Sequence, residues 1–301
     1  KGLNNKIDII PPWPVMNKLY SGSRLNNPFR LKNNFGDKIY SYLNFIVKHH
    51  GRFPRNRMLF NDYMYKLKVS KKFNTDSLRI YLTDKEFGKR YIKKVLSEEY
   101  VIPTYKIFNF YEDFLDYELP LTCVIKPTHL SGQVILKKEN IKIDYDLIKK
   151  WFTTNYYYRS RESNYKDLTP KLIIEEVVFD DLNPLDYKFF CFKGKPKLIQ
   201  LDHDRYINHT LSLFTPDWVK QNFSITFDQY KGVIKKPNNL NEMLTQVTKL
   251  ATSTKFDFIR IDAYSNGQKF YFGELTNLHG NAAEIFVPKS GEASASKIIF
   301  E

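Results

Sequence analysis

Two acids set close together on one short hairpin are the residues of this sequence best suited to metal chemistry. In 258-FIRIDAYSNGQKFYFGELTN-277, Asp262 and Glu274 lie on either side of Ser265-Asn266-Gly267, within two runs of alternating apolar and polar residues. An Asn-Gly pair between such runs predicts a hairpin, because its tight turn needs residues that tolerate positive φ. Strand alternation puts Arg260, Asp262 and Tyr264 on one face, and Phe270, Phe272 and Glu274 on one face of the returning strand. With plain two-residue-turn pairing Asp262 falls opposite Tyr271 and Glu274 faces away. The acids meet only if there is a bulge near Phe272-Gly273 or a longer loop centred on Gln268. If they meet, hard carboxylate oxygens with Thr276 and Asn277 just beyond suit Mg²⁺ bridging nucleotide phosphates, an ion that needs only one or two protein acids. The alternative is a solvated face with Asp262 paired to Arg260 and Glu274 exposed.

Four earlier stations carry groups suited to phosphate. Asp84-Lys85 stands at a helix start, where a lysine beside free backbone amides can meet an anion or simply form a solvated cap pair. Lys126 sits inside the apolar run VIKPTHLSGQ, followed by a short loop with Ser131 and Gly132; a charge there needs an anionic partner, and a phosphate fits. Glu175 and Glu176 interrupt the apolar run IIEEVV, whose backbone up to Val178 could hold a nucleobase or form a solvated edge strand. Lys188 in DYKFFCF and Arg205 in DHDR fall on runs that pair through a Lys193-Gly194 turn, so their charge can meet a triphosphate or the neighbouring acids.

The elements that must position these groups follow from periodicity. Residues 1–34, rich in Asn and Pro, predict irregular structure. Helices are expected over 35–50, 83–100, 144–158 and 240–254. For the second, Thr83 or Asp84 would be the cap, with Glu86 placed as in a capping box. Strands are expected at 120–127, 133–138, 171–178, across 186–202, and at 256–265 and 268–276. Strands in adjacent hairpins with interspersed helices imply an α+β fold, not a doubly wound sheet. There is no internal repeat and no low-complexity segment.

With 301 residues, 42% of them hydrophobic, the chain can bury a normal core, and no run approaches the length of a membrane span. Lys1 in place of an initiator Met suggests that flanking sequence belongs to the natural protein, which leaves a lost leader or an additional domain open. Cys123 and Cys191 lie in apolar runs without any CxxC or Cys/His pattern, as reduced core residues of a cytoplasmic protein do. The net charge of +14 is spread along the chain and suits a polyanion: a nucleotide, an acidic glycan or an anionic membrane surface. The 21 tyrosines and 24 phenylalanines come with no nucleic-acid-binding signature, which argues against nucleic acid.

The order of the stations resembles the ATP-grasp superfamily, with its strand lysine, hinge acid and late Asp…Glu metal pair matched by Lys126, Glu175-Glu176 and Asp262…Glu274, and its Asp-Lys helix entry by Asp84-Lys85. The wording from FPRNRMLFND (53–62) through TDKEFGKRYI, IKPTHLSG, IIEEVV, DYKFFCFKGKPK, DHDR, KPNNLNEML, FIRIDAY and FGELT is most similar to the TupA-like group of bacterial cell-surface polysaccharide clusters. The first fifty residues carry no resemblance. Two departures stand out: Glu274-Leu275 is followed by Thr276 where the superfamily usually has Asn, with Asn277 one place late, and the loop after Lys126 is poor in glycine.

The resemblance implies two α+β subdomains clasping a nucleotide, over 83–170 and 171–301, behind an N-terminal region, 1–82, that is irregular and then helical. It implies ATP held by Lys85, Lys126, Ser131, Gly132, Glu175, Glu176, Val178 and Lys188, and Mg²⁺, or Mn²⁺ in its place, held by Asp262, Glu274, Thr276 and Asn277. Arg205, Arg260 and Lys188 would act on the reacting groups. The implied activity is an amide ligase working through an acyl phosphate on an anionic glycan or glycolipid, in the cytoplasm or at the inner face of the membrane. The alternative is a metal-dependent glycosyltransferase on the same scaffold.

Overall fold

The computed structural model describes residues 33–301 apart from 140, 182–183 and 205–207; the irregular structure expected over residues 1–32 lies outside this range. Two sheets carry the architecture. The smaller has β1 (Thr104–Phe108), β2 (Cys123–Pro127), β3 (Ile135–Lys137) and β4 (Leu172–Glu175) in the antiparallel order β1-β4-β2-β3. The larger is built from β5 (Leu185–Phe192), β6 (Lys195–His203), β7 (Thr210–Phe214), β9 (Asp228–Gln229), β10 (Phe258–Ser265) and β11 (Phe270–Thr276). Its order is β11-β10-β5-β6-β7-β9, antiparallel except for β7 and β9. A short pair joins β8 (Ser224–Ile225) and β12 (Phe286–Val287). This is the α+β arrangement expected. The boundary expected at 171 shifts, because β4 completes the smaller sheet and the chain enters the larger one only at Leu185.

Local chemistry explains the elements that frame the site. Lys193 and Gly194 both take positive φ (48° and 78°), as a tight β-hairpin turn requires, and join β5 to β6. The helix expected over 83–100 forms over Lys85–Val95, with Asp84 separating it from a preceding helix, Ser77–Thr83, and a 3-10 turn at Glu98–Tyr100 following it. The Asp84 backbone is extended, and its side chain accepts from the amides of Glu86 and Phe87. The capping box does not form, because Thr83 ends the preceding helix and Glu86 pairs instead with Lys171 and Arg90. The helix Phe60–Val69, strands β1 and β7, and the helix Gly291–Phe300 were not foreseen from periodicity.

Three apolar clusters hold the fold. One face of the larger sheet, with Phe189, Ile199 and Ile261, packs under the helices Lys85–Val95 and Leu240–Thr254. The distal part of the other face, with Phe190 and Phe258, packs under Phe60 and Met64 and against Ala295 and Ile299. The smaller sheet has its own cluster around Phe114, Ile125 and Trp151. Each fully buried side chain of this size contributes about 1.5–3 kcal/mol. Cys123 and Cys191 are buried free thiols within these clusters, as expected, and burial pushes the Cys123 thiol up to about 11. Among the described residues no helix is long and apolar enough to cross a membrane.

Candidate active site

The two sheets enclose a cleft of about 170 Å³. From the smaller sheet and its flanks come apolar side chains, Ile102, Val124, Val134, Leu136, Val177 and Val178. The other end is ionic and is lined by Lys85, Lys126, Lys188, Arg260, Asp262 and Glu274.

The hairpin β10–β11 brings its two acids together by two devices. Its loop spans residues 266–269, where the Asn266 side chain accepts from the amides of Gln268 and Lys269, so Ser265 pairs with Phe270. That offset alone keeps Glu274 on the wrong face, since a shift of two residues preserves side-chain alternation. Between Asp262↔Glu274 and Ala263↔Phe272 the register slips by one residue, and Gly273 is the extra one. A Cβ at Gly273 would lie 2.9 Å from Tyr264 Cε2, so the bulge needs glycine there.

Arg260 stands between the acids. Its Nε and Nη2 donate to the two Asp262 oxygens, each at 2.6 Å, and Nη2 also donates to Glu274 Oε1 (3.3 Å) and Thr276 Oγ1 (3.0 Å). The pairing of Asp262 with Arg260 and the convergence of the two acids therefore occur together. Arg260 Nη1 donates to His279 Nδ1 at 2.6 Å, which leaves the ring proton on Nε2, 3.2 Å from Glu284 Oε1. His279 and Glu284 carried no signal in the sequence.

The acids have opposite titration. Burial, opposed by Arg260 and reinforced by the Glu274 charge, raises the Asp262 carboxyl above the ordinary range. For Glu274, burial is outweighed by Lys85, Arg260, Lys126 and Lys188, which hold its carboxyl down at about 2.

The lysines are paired within the protein. Lys126 contacts Glu175 at 2.5 Å, and Lys89 contacts the same carboxylate at 2.7 Å. Glu175, expected beside a nucleobase, is 1% exposed and serves these lysines instead. Lys188 donates to Asp186 and, at 2.5 Å, to Asp202. Lys85 Nζ donates to the Leu130 carbonyl at 2.5 Å. Glu176, Val178 and Gly132 line the cleft, whereas Ser131 is exposed and bonds Tyr165.

Asn277 is not aimed at the acids. Strand alternation sends it to the opposite face from Glu274 and Thr276, where its amide nitrogen donates to Arg79 O (2.9 Å) and Thr83 Oγ1 (3.0 Å). Arg205 lies outside the described residues.

Asp262, Glu274 and the Thr276 hydroxyl form a donor set of the kind Mg²⁺ takes beside phosphate: each Asp262 oxygen keeps a lone pair beyond its bond to Arg260, and the bonds from Arg260 and Thr276 to Glu274 both fall on Oε1, which leaves Oε2 for an ion. The cleft lining points the same way. It holds six acidic side chains against four basic ones in a chain of net charge +14, an excess of acid that a divalent cation would offset.

Comparison with known proteins gives one family, described as TupA-like ATPgrasp, which matches residues 65–295. No curated protein matches the chain significantly. Similar solved structures include an L-amino acid ligase from Bacillus licheniformis, with a TM-score of 0.46 and 11% identity over 83% of this chain and 56% of that one. A D-alanine-D-alanine ligase from Helicobacter pylori gives a TM-score of 0.39 and 17% identity over 67% and 53%. An ADP complex of N5-carboxyaminoimidazole ribonucleotide synthetase gives 0.44 and 13% over 80% and 58%. The chain thus spans little more than half the length of these proteins.

Proposed function

The chain belongs to the TupA-like ATP-grasp family, and we propose that it is an ATP- and Mg²⁺-dependent carboxylate–amine ligase that works through an acyl phosphate. The observation that carries this reading is the cleft itself, apolar at one end and, at the other, ionic around a facing pair of acids. A purine lies at the apolar end against the backbone of 176–178, and the phosphates extend toward Lys85, Lys126 and Lys188. Mg²⁺ bound by Asp262, Glu274 and the Thr276 hydroxyl supplies neutralisation of phosphate charge.

Lys126 and Lys188 each exchange a protein carboxylate for phosphate oxygen, and Lys85 exchanges the Leu130 carbonyl. Lys126 is free to do so because Lys89 remains on Glu175. Arg260, with five N–H donors in a planar fork, orients the attacking carboxylate or the transferred phosphoryl group, and His279 fixes its plane. The carboxylate oxygen attacks the γ-phosphorus, ADP departs, and an amine then displaces phosphate to form the amide. Neither buried cysteine takes part.

An acidic cell-surface glycan or its precursor suits the net charge of +14 as the carboxylate substrate. A sugar-nucleotide transferase could use the same acids, but membership of this family favours the ligase. Pure protein incubated with ATP, Mg²⁺, pooled amino acids and the native glycan is expected to release ADP. Consumption of sugar nucleotide without ADP release would overturn the reading.

A further inference from the structure

A second, smaller cavity of about 20 Å³ adjoins the cleft and shares Lys85, Gly273 and Glu274 with it. It has room for one water-sized group. Its far wall includes Glu162 and Asn164, which are 5% and 2% exposed. The network around Thr83 fixes the orientation of the Asn164 amide. Thr83 Oγ1 donates its one proton to the Arg79 carbonyl at 2.7 Å, so the Asn164 atom 2.8 Å from it must be the donor, Nδ2. Asn164 Oδ1 is left buried with no hydrogen-bond partner among the described residues. The Glu162 carboxyl is acted on by burial and by the Lys68 charge, and among the described residues it accepts no hydrogen bond. The Lys68 ammonium itself bonds Ser160 O at 2.8 Å and Asn281 Oδ1 at 2.5 Å.

A buried acceptor without a partner, Asn164 Oδ1, on the same cavity as the Glu162 carboxylate calls for a donor, and an alkylammonium carries three N–H groups on one atom of the right size. We infer that this cavity seats the amino group of the attacking amine, with Glu162 and Asn164 accepting its N–H bonds and Glu162 taking up its proton. The inference rests on the ligase reading and deepens it.

The chemistry balances. One proton passes from the ammonium to Glu162, and the freed lone pair attacks the acyl phosphate carbonyl. As the C–N bond forms, the C–O bond to phosphate breaks, and phosphate leaves with the electron pair and the second proton. Burial, opposed by Lys68, brings the Glu162 carboxyl up to about 7, where it can exchange a proton near neutrality. The other titratable groups facing the cavity are Tyr165, Lys85, Lys89 and Glu274, the two lysines being held by the Leu130 carbonyl and by Glu175.

Hydroxylamine tests this, because it is uncharged at neutral pH and captures an acyl phosphate without a base. The full chain is given ATP, Mg²⁺ and a panel of uronic acids, with either hydroxylamine or pooled amino acids. Glu162→Gln is expected to form hydroxamate at the wild-type rate and to lose amide formation by about 100-fold. Asn164→Leu is expected to raise KM for the amine roughly tenfold with hydroxamate formation unchanged. Amide formation by Glu162→Gln at the wild-type rate overturns the inference and leaves the ligase reading standing; so does an equal loss of both products, which would assign Glu162 to the first half-reaction. If Glu162→Gln does not fold, Asn164→Leu decides, and an unchanged KM overturns the inference. Absence of hydroxamate from the wild type with every carboxylate overturns the ligase reading and the inference with it.

Discussion

The cleft holds two ionic centres built as opposites. On the smaller sheet one carboxylate, Glu175, is shared by two cations, Lys89 and Lys126. On the larger sheet one cation, Arg260, is shared by two carboxylates, Asp262 and Glu274. Each is incomplete in a different sense: the first can release a cation to a phosphate, and the second can offer an acid to a metal. Burial sharpens the difference. Glu175 is held below the ordinary carboxylate range by its lysines despite burial, whereas Asp262 is raised above it beside a second acid. A site in which surplus cation faces surplus acid is matched to a metal–polyphosphate complex and poorly matched to either component alone.

The largest expected effect breaks the second centre. Asp262→Asn should reduce ATP turnover by at least about 1,000-fold, since a carboxylate proposed to hold the metal is lost. It should also destabilise the fold by roughly 3 kcal/mol in urea titration, because Arg260, 9% exposed, loses its bidentate partner. Without Arg260 the two acids would repel, and the substitution would be neutral or stabilising. Unchanged stability would show that Arg260 does not hold the centre together.

A smaller effect is expected at the first centre. Lys126→Met should weaken ATP binding roughly tenfold to a hundredfold in calorimetry, at a stability cost of only about 1 kcal/mol because Lys89 still satisfies Glu175. Equal ATP affinity in the variant would make Lys126 purely structural and remove the contrast between the centres.

Smaller again is the effect of the backbone device. Gly273→Ala should cost about 1–3 kcal/mol, as the new Cβ meets the Tyr264 ring. It should also lower turnover by forcing the bulge out of register. Full activity would mean that the facing of the acids does not depend on the bulge.

This device was also the most legible part of the sequence. The Asn-Gly turn, the alternation on both strands and the single glycine beside Glu274 together allowed the acids to meet, and strands β5, β6, β10 and β11 fell where their β-branched and aromatic runs put them. Local rules failed where contacts are distant in sequence. Glu175 has the pattern of a strand-end acid, but its partners arrive from the helix Lys85–Val95 and from β2. Asn277 was grouped with the acids by proximity along the chain, and one residue of strand alternation sends it to the other face. His279 and Glu162 sit in irregular connections and Asn164 in the single 3-10 turn Ser163–Tyr165, none of them in a periodic run, so nothing in the sequence joined them to the hairpin.

The smallest effect is in acid. The Glu274 carboxyl falls from its ordinary 4.5 to about 2 in the folded chain. Its contribution to stability is therefore complete above pH 4.5 and is lost as pH falls through about 2. The difference in urea midpoint between wild type and Glu274→Gln should shrink across that window. A difference independent of pH would mean that the cations around Glu274 do not act on it.

The central claim is that Asp262 and Glu274 jointly bind a metal that bridges nucleotide phosphates. Its most direct test is a crystal structure with a non-hydrolysable ATP analogue and Mn²⁺, located by anomalous scattering. An ion bonded at about 2.2 Å to both carboxylates and to phosphate oxygens, with Lys126 turned from Glu175 to the nucleotide, is the predicted result. Nucleotide in the cleft with no ion between the acids, and Arg260 still bonded to both Asp262 oxygens, would contradict it.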